Sequence, residues 1–301
     1  MKILVTGGAG FIGSHVAQAY IDAGHDVVVV DDLSAGRRSN VPSQARFVEL
    51  DIRDRERLDA LFAREKPDVV NHHAAQVAIP LSLERPWQDA HVNIMGMLAL
   101  LECSARFGVS RFIYASTAAV YGDPQTLPVD EDHPIRPLNP YGVSKYAAEL
   151  YLRCLGDLRG MDWVILRYAN VYGPRQDPSG EAGVIAIFID RMKRGETPVV
   201  FGDGRQTRDF VHVEDVAQAN LAALGARNLV VNVATGKETA IADVAKLLAE
   251  FLGFEGAPRF APPRVGEVRR ICLSPARAGE VLGWRPRTML EEGLRRAASS
   301  G

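Results

Sequence analysis

Three glycines, Gly7, Gly10 and Gly13, separate an apolar run, Ile3–Val5, from a helical pattern that begins around Phe11–Ile12 and ends near Gly24. A second apolar run, Val27–Val30, ends on Asp31. Read physically, this is strand, tight turn, helix, strand and acid. Glycines let the backbone turn sharply and approach a pyrophosphate with no Cβ in the way. The helix that follows points unsatisfied N–H groups and its positive dipole end at that pyrophosphate. A carboxylate at the end of the second strand accepts from both ribose hydroxyls of an adenosine and repels a 2′-phosphate. The opening stretch therefore predicts a dinucleotide site, with Asp31 favouring NAD over NADP.

The rest of the chain must supply a sheet for that unit to join. A length of 301 residues allows one large or two modest domains with ample core. Apolar residues are 47% and charged residues 24%, an ordinary globular balance. The net charge of −2 argues against nucleic acid or a membrane surface as partner. The three cysteines, Cys103, Cys154 and Cys272, are scattered and odd in number. That fits a reduced, cytoplasmic setting. Met1-Lys2 leads directly into the first strand and no apolar run approaches about 18 residues, so neither a leader nor a membrane span is expected.

In chain order, strands are expected over Arg46–Leu50, Pro67–Asn71, Ser110–Ser116 and Trp163–Tyr168. Their alternation with helical stretches predicts an α/β fold, a doubly wound parallel sheet spanning residues 1–168. Arg37 and Arg38 lie in the polar loop Leu33–Pro42 and read as solvated, because Asp31 already occupies the ribose position. Asp51 has two readings. It accepts from an adenine amine, with Ile52 covering the ring, or it caps a helix over Arg53–Arg64. His72 and His73 are adjacent, so they point to opposite faces of a strand, and no Cys or Glu cluster lies near. No metal is expected. Ala74 and Ala75 are small enough for a cofactor to pass closely. Asn93 sits inside a long helix, Trp87–Phe107, where it either bonds a neighbouring loop or lies exposed.

The fifth strand delivers Ser116-Thr117 to the carboxyl edge of the sheet, where open α/β sheets place their ligands. Tyr141 and Lys145 are spaced to share one helix face. From Asn170 the texture changes to loops, short strands and helices. A smaller mixed α/β domain is expected over 169–301, with segments at roughly 208–235 returning to the first domain.

Together, Thr6-Gly-Gly-Ala-Gly-Phe-Ile-Gly13, Asp31, Ser116-Thr117, the Tyr141/Lys145 pair and Arg208-Asp-Phe-Val resemble the extended short-chain dehydrogenase/reductase family, and within it the nucleotide-sugar epimerases. The resemblance covers essentially the whole chain. It implies tightly bound NAD and epimerisation at sugar carbon 4 through a 4-keto intermediate. Tyr141 resembles the base that takes the hydroxyl proton. A free tyrosine titrates near 10, so Lys145 and the nicotinamide must lower it. Thr117 matches the hydroxyl that bonds the reacting oxygen. Gly7, Gly10, Phe11 and Ile12 match the pyrophosphate turn, and Asp51 and Ile52 the adenine contacts. Ala74, Ala75 and Gln76 match the loop beside the cofactor. Asn93 and Tyr168 match residues at the nicotinamide half, and Lys145 also matches the holder of its ribose. Related dehydratases carry an acid directly after the Ser/Thr, where this chain has Ala118 and Ala119. That favours simple epimerisation.

By the same resemblance, Asn170, Arg208 and Arg264 hold the diphosphate of a UDP-sugar, as planar guanidinium forks do. Glu267 replaces the usual Asp at the uridine ribose. Val199 and Phe201 flank the base, with Val184 and Ile185 near it. Ile271 stands where residue size sets the bulk tolerated at sugar carbon 2, and its intermediate size leaves glucose and N-acetylglucosamine forms open. Interconversion of UDP-glucose and UDP-galactose is the leading expectation. Epimerisation of UDP-N-acetylhexosamine or UDP-glucuronate, or a related reductase or dehydratase activity, is the alternative within the family. A non-catalytic NAD sensor would be expected to have lost Tyr141 or Lys145. The family usually dimerises through two helices, here Trp87–Phe107 and the helix of Tyr141, so a homodimer is expected.

Overall fold

A computed structural model describes residues 1–178, 183–263 and 268–299. Its first half runs β1 (Lys2–Thr6), α1 (Phe11–Asp22), β2 (Asp26–Asp31), β3 (Arg46–Glu49), α2 (Arg55–Glu65), β4 (Val69–His72), α3 (Ile79–Glu84), α4 (Pro86–Ala90), α5 (Gly96–Arg106), β5 (Arg111–Thr117), α6 (Pro140–Arg159) and β6 (Asp162–Tyr168). Then follow β7 (Asn170–Tyr172), α7 (Val184–Lys193), β8 (Val199–Phe201), β9 (Thr207–Arg208), β10 (Phe210–His212), α8 (Val213–Ala223), β11 (Leu229–Val233), β12 (Thr239–Ala240), α9 (Ile241–Leu252), β13 (Arg259–Ala261), α10 (Ala276–Leu282) and α11 (Leu290–Ser299).

Seven strands form one parallel sheet in the order β11-β6-β5-β4-β1-β2-β3. The apolar runs read from the sequence are its centre, because a strand covered on both faces needs no polar alternation. Ile3 and Val5 pack with Val16, Ala17 and Tyr20 of α1 and Val216 and Ala219 of α8. Leu4, on the opposite face, packs with Leu58 and Phe62 of α2, Leu100 of α5 and Leu152 of α6. β1 lies between β2 and β4, so the winding reverses there. Open sheets open a ligand crevice at that point. β11 returns to the sheet beside β6, with Leu229 opposite Val164.

The remaining strands make small pairs, β7 with β10, β9 with β12 and β8 with β13. They surround a separate core of Tyr172, Ile185, Phe188, Val200, Val244, Leu248 and Leu294.

Two local features differ from the sequence reading. Helix α2 starts at Arg55, capped by the Asp54 carboxylate accepting from the Arg57 N–H at 3.1 Å, so Asp51 is not its cap. The long helix around Asn93 is interrupted by a π-helical turn, His91–Met95. Beyond residue 168 the strands are short: Thr207–Arg208 and Phe210–His212 are separate strands on either side of the buried Asp209, pairing with β12 and β7 in turn.

Candidate active site

The carboxyl edge of a parallel sheet collects the residues at its strand ends. Gly7 follows β1 with φ +68°, and a Cβ there would lie 2.6 Å from the Ala74 amide nitrogen. The turn therefore packs on the segment after β4. At Gly13 a Cβ would lie 2.2 Å from the Gly7 carbonyl oxygen, so the first turn of α1 sits directly on the loop. Gly10 starts α1 without any side-chain cap and without an acid in the first turn. By contrast α2, α6 and α8 are each capped by a side chain. Only α1 among these leaves its first-turn donors, near Phe11 and Ile12, to an anion.

Asp31 ends β2 and is buried. Its Oδ2 accepts from the Ala9 N–H at 3.0 Å and its Oδ1 from the Leu33 N–H at 2.9 Å. These bonds aim the carboxylate beside the glycine turn, and each oxygen keeps a lone pair. Burial raises its pKa against those bonds. A bare turn, an uncapped helix and an oriented acid fit the pyrophosphate and ribose of a dinucleotide.

Asp51 turns back on Arg53, accepting from its backbone N–H at 2.9 Å and from its guanidinium at 2.5–3.0 Å. That guanidinium holds the Asp51 carboxyl below the usual range. Ile52 is buried against Gly96, where a Cβ would come within 2.5 Å of its side chain.

Asn93 is buried and bonds a loop. Its Oδ1 accepts from the Gln76 N–H at 2.8 Å, and its Nδ2 donates to the Gln76 carbonyl at 2.9 Å and to Ser144 Oγ at 3.0 Å. The π-helical turn is what carries it, a distortion often found at functional sites. The loop Ala74–Gln76 is thereby tied to α6. Tyr168 ends β6 with its ring stacked on His73, and its hydroxyl accepts from Asn220 Nδ2 at 2.8 Å. His72 and His73 are both held neutral by burial, with Lys145 adding to the effect.

Thr117 ends β5 with its Oγ1 accepting from the Ala119 N–H at 3.2 Å, and its hydroxyl lies beside the Tyr141 phenol. Helix α6 starts where Asn139 Oδ1 accepts from the Gly142 N–H at 2.9 Å, with Pro140 at the first helical position. It ends at Gly160, in the left-handed conformation. Tyr141, Lys145 and Glu149 follow at four-residue spacing. Lys145 is buried, with Nζ 4.4 Å from the centre of the Tyr114 ring. Burial pushes the Lys145 ammonium down to about 7, against Glu149 and Asp89 pulling upward. Burial pushes the half-buried Tyr141 phenol up to about 12, against the lowering influence of the neighbouring Thr117 hydroxyl. The chain alone thus holds Tyr141 as a neutral phenol.

Under this face lies a polar layer that the sequence reading missed. Glu149 accepts from Ser116 Oγ at 2.5 Å and from Arg167 at 3.0 and 2.7 Å. Arg167 also donates to the Tyr121 hydroxyl at 3.0 Å. Both ends of the ion pair are buried, so removing either strands a charge. The available signal was Glu149 continuing the Tyr141–Lys145 spacing.

On the second domain, Asn170 opens β7 directly after β6 and is exposed. Its N–H donates to the Asp209 carbonyl at 2.9 Å. Arg208 lies on β9, next to Asp209. Val199 and Phe201 share one half-buried face of β8, while Val200 between them enters the core. Val184 is half-buried at the start of α7, but Ile185 is buried in the core. Ile271 is buried beside β9. Arg264 and Glu267 lie outside the described residues. Asp209, also missed, accepts from Thr235 N–H (2.9 Å) and Oγ1 (2.6 Å), Gly236 N–H (3.0 Å) and Leu273 N–H (3.3 Å). It fastens three segments behind Asn170 and Arg208.

Known proteins with this arrangement are numerous. UDP-glucose 4-epimerase of Mycolicibacterium smegmatis is 43% identical over 302 residues, covering 98% of this chain and 96% of that protein. A crystal structure of UDP-glucose 4-epimerase with UDP-glucose from Thermotoga maritima matches with TM-score 0.98 and 46% identity, covering 100% of this chain and 98% of that one. The Thermus thermophilus UDP-glucose 4-epimerase in complex with NAD matches with TM-score 0.95 and 42% identity, at 100% and 98% coverage. The family model of NAD dependent epimerases and dehydratases matches residues 3–234, from the first residues of β1 through the whole of β11. A sheet with its glycine turn at β1, Asp31 at β2 and Tyr141 and Lys145 on α6 accounts for that match, and the chain belongs to the NAD dependent epimerase/dehydratase family.

Proposed function

We propose that this chain is a UDP-glucose 4-epimerase, interconverting UDP-glucose and UDP-galactose through a 4-keto sugar. The observation that carries the reading is the meeting of Thr117, Tyr141 and Lys145 at the sheet edge, with Ala118 and Ala119 beside them. Neither alanine can carry the proton that water elimination requires. Residues 1–168, with the return at roughly 208–235, bind NAD, and 169–301 bind the nucleotide sugar.

Gly7, Gly10, Phe11 and Ile12 hold the pyrophosphate, Asp31 the adenosine ribose, and Asp51 and Ile52 the adenine. Asp51 keeps an acceptor lone pair for this while paired with Arg53. Ala74, Ala75, Gln76, Asn93 and Tyr168 frame the nicotinamide half, and Lys145 its ribose. The chemistry supplied by bound NAD is reversible hydride exchange at sugar carbon 4. Tyr141 takes the carbon 4 hydroxyl proton as the alcohol is oxidised and gives it back on reduction. Thr117 bonds the same oxygen and keeps it in line with the phenol. Lys145 stabilises the phenolate by charge. Asn170, Arg208 and Arg264 hold the diphosphate, and Glu267 the uridine ribose. Val199, Phe201, Val184 and the Ile185 backbone border the base. The sugar is left free to turn over.

Purified protein incubated with UDP-galactose is expected to yield UDP-glucose, and the absence of that product would overturn the reading. The same assay with UDP-N-acetylglucosamine reads the tolerance set by Ile271. NAD is expected to co-purify, because each turnover regenerates it. A homodimer is proposed across α4–α5 and α6, whose surfaces expose Trp87 (82%), Val143 (51%) and Leu158 (73%). Light scattering tests it. Among the described residues no helix is long and apolar enough to cross a membrane. A cytoplasmic setting is proposed on the three free cysteines.

A further inference from the structure

Lys145 and Asp89 present the same electrostatic problem from opposite sides. Lys145 is 4% exposed and Asp89 1% exposed. Among the described residues neither makes an ion pair within 4 Å. The Asp89 Oδ1 accepts from Gln76 Nε2 at 2.8 Å and Asn93 Nδ2 at 3.3 Å, both neutral amides. Its Oδ2 is buried without a partner. A buried charge left uncompensated is costly, by several kcal/mol in proteins, so each needs a counter-charge nearby. The packing of two helices brings them together. Helix α4 packs on α6, and Asn93 links them, its Nδ2 reaching both the Asp89 carboxylate at 3.3 Å and the hydroxyl of Ser144, the neighbour of Lys145, at 3.0 Å.

Other charged or titratable groups face Lys145 as well. On α6 these are Tyr141 and Glu149, on β5 Tyr114, and at the end of β4 His72 and His73. Tyr114 is held neutral and both histidines are uncharged. Glu149 is already matched by the two-pronged bond from Arg167. Asp89 is the anion left over.

We propose that Asp89 is a positioning residue for the Tyr141–Lys145 pair, its buried carboxylate supplying the counter-charge to the Lys145 ammonium. It also clasps Gln76 and Asn93, so the loop beside the pair and the charge beneath it are set by one side chain. The rate readout rests on the epimerase reading above. A second readout needs no turnover.

Asp89→Asn keeps the shape and an acceptor oxygen but removes the charge. Both Lys145 and Tyr141 then lose a nearby anion, and both titrate at lower pH. Both limbs of the pH–rate profile are expected to move acidward by about one pH unit, the low end for a neighbouring charge. A merely structural role would lower the rate and leave the limbs in place, which would overturn the proposal. Asp89→Glu keeps the charge and is expected to leave both limbs where they are, and a shift there would equally overturn it. In protein labelled with 13C-tyrosine, the Tyr141 resonance, assigned with Tyr141→Phe, is expected to titrate at lower pH in Asp89→Asn. If no UDP-sugar turns over yet that resonance moves, the epimerase reading fails and this inference stands. If turnover is normal and the resonance does not move, the inference fails alone.

Discussion

Within the cofactor cradle, Gly7, Ala9, Gly10, Gly13 and Asp31 all fall in one strand–turn–helix–strand unit. Most of its contacts are backbone to backbone or backbone to a single carboxylate. The substrate side is assembled otherwise. Asn170, Val199 and Arg208 come from β7, β8 and β9, and each of these pairs with a strand distant from it or turned away from the main sheet. Behind Asn170 and Arg208 a buried side chain, Asp209, reaches segments at 235–236 and 273. The first region is close-packed, with no room for a Cβ at Gly7 or Gly13. In the second, one carboxylate gathers distant segments. The catalytic face of α6 lies between the two and depends on neither kind of support alone, since it stands on the Glu149–Arg167 layer.

The sharpest way to break the comparison is at the catalytic face itself. Tyr141→Phe removes the proton-transfer group and is expected to lower turnover about a thousandfold, within the range for general acid–base groups. The protein should still fold and still carry NAD. Product formation from UDP-galactose and the absorbance of released cofactor check both parts. The next effect tests the cradle. Gly13→Ala places a Cβ against the Gly7 carbonyl, and overpacking of that kind costs about 1–3 kcal/mol. Urea denaturation is expected to show the loss, together with reduced NAD content.

Asp209→Asn probes the substrate side. The amide turns one acceptor into a donor facing backbone N–H groups, a cost of about 1–3 kcal/mol for unsatisfied buried partners. Here the expected signature differs. UDP-sugar binding by calorimetry weakens while NAD content is kept. Equal loss of both ligands would erase the distinction between the regions. The smallest effect is at the rim, where Arg37 pairs with Asp177 at 2.5 Å but is largely exposed. Arg37→Ala is expected to change stability by less than about 1 kcal/mol and to leave NADP discrimination unchanged, as measured by competition with the two cofactors.

Arg37 reads from the sequence as part of a solvated loop, and its side chain is indeed largely exposed while pairing with Asp177. Asn93 was legible as an anomaly, a helix-interior asparagine. Its partners were not, because Gln76 and Ser144 meet it only after α4, the π-helical turn and α6 pack. Asp51 as a helix cap was a local inference defeated by a local competitor, Asp54, three residues on.

The parallel sheet, the glycine turn, the acid after the second strand and the shared helix face of Tyr141 and Lys145 are all legible in the linear chain. Each of these follows from spacing along one element, and spacing is written in the chain. Only the packing of distant elements settles that Glu149, Arg167 and Ser116 form one buried layer and that the Asp209 carboxylate gathers the segments at 235–236 and 273. Those facts concern which charges share a low-dielectric interior. Burial and distance between elements set that, and neither is encoded at any single position.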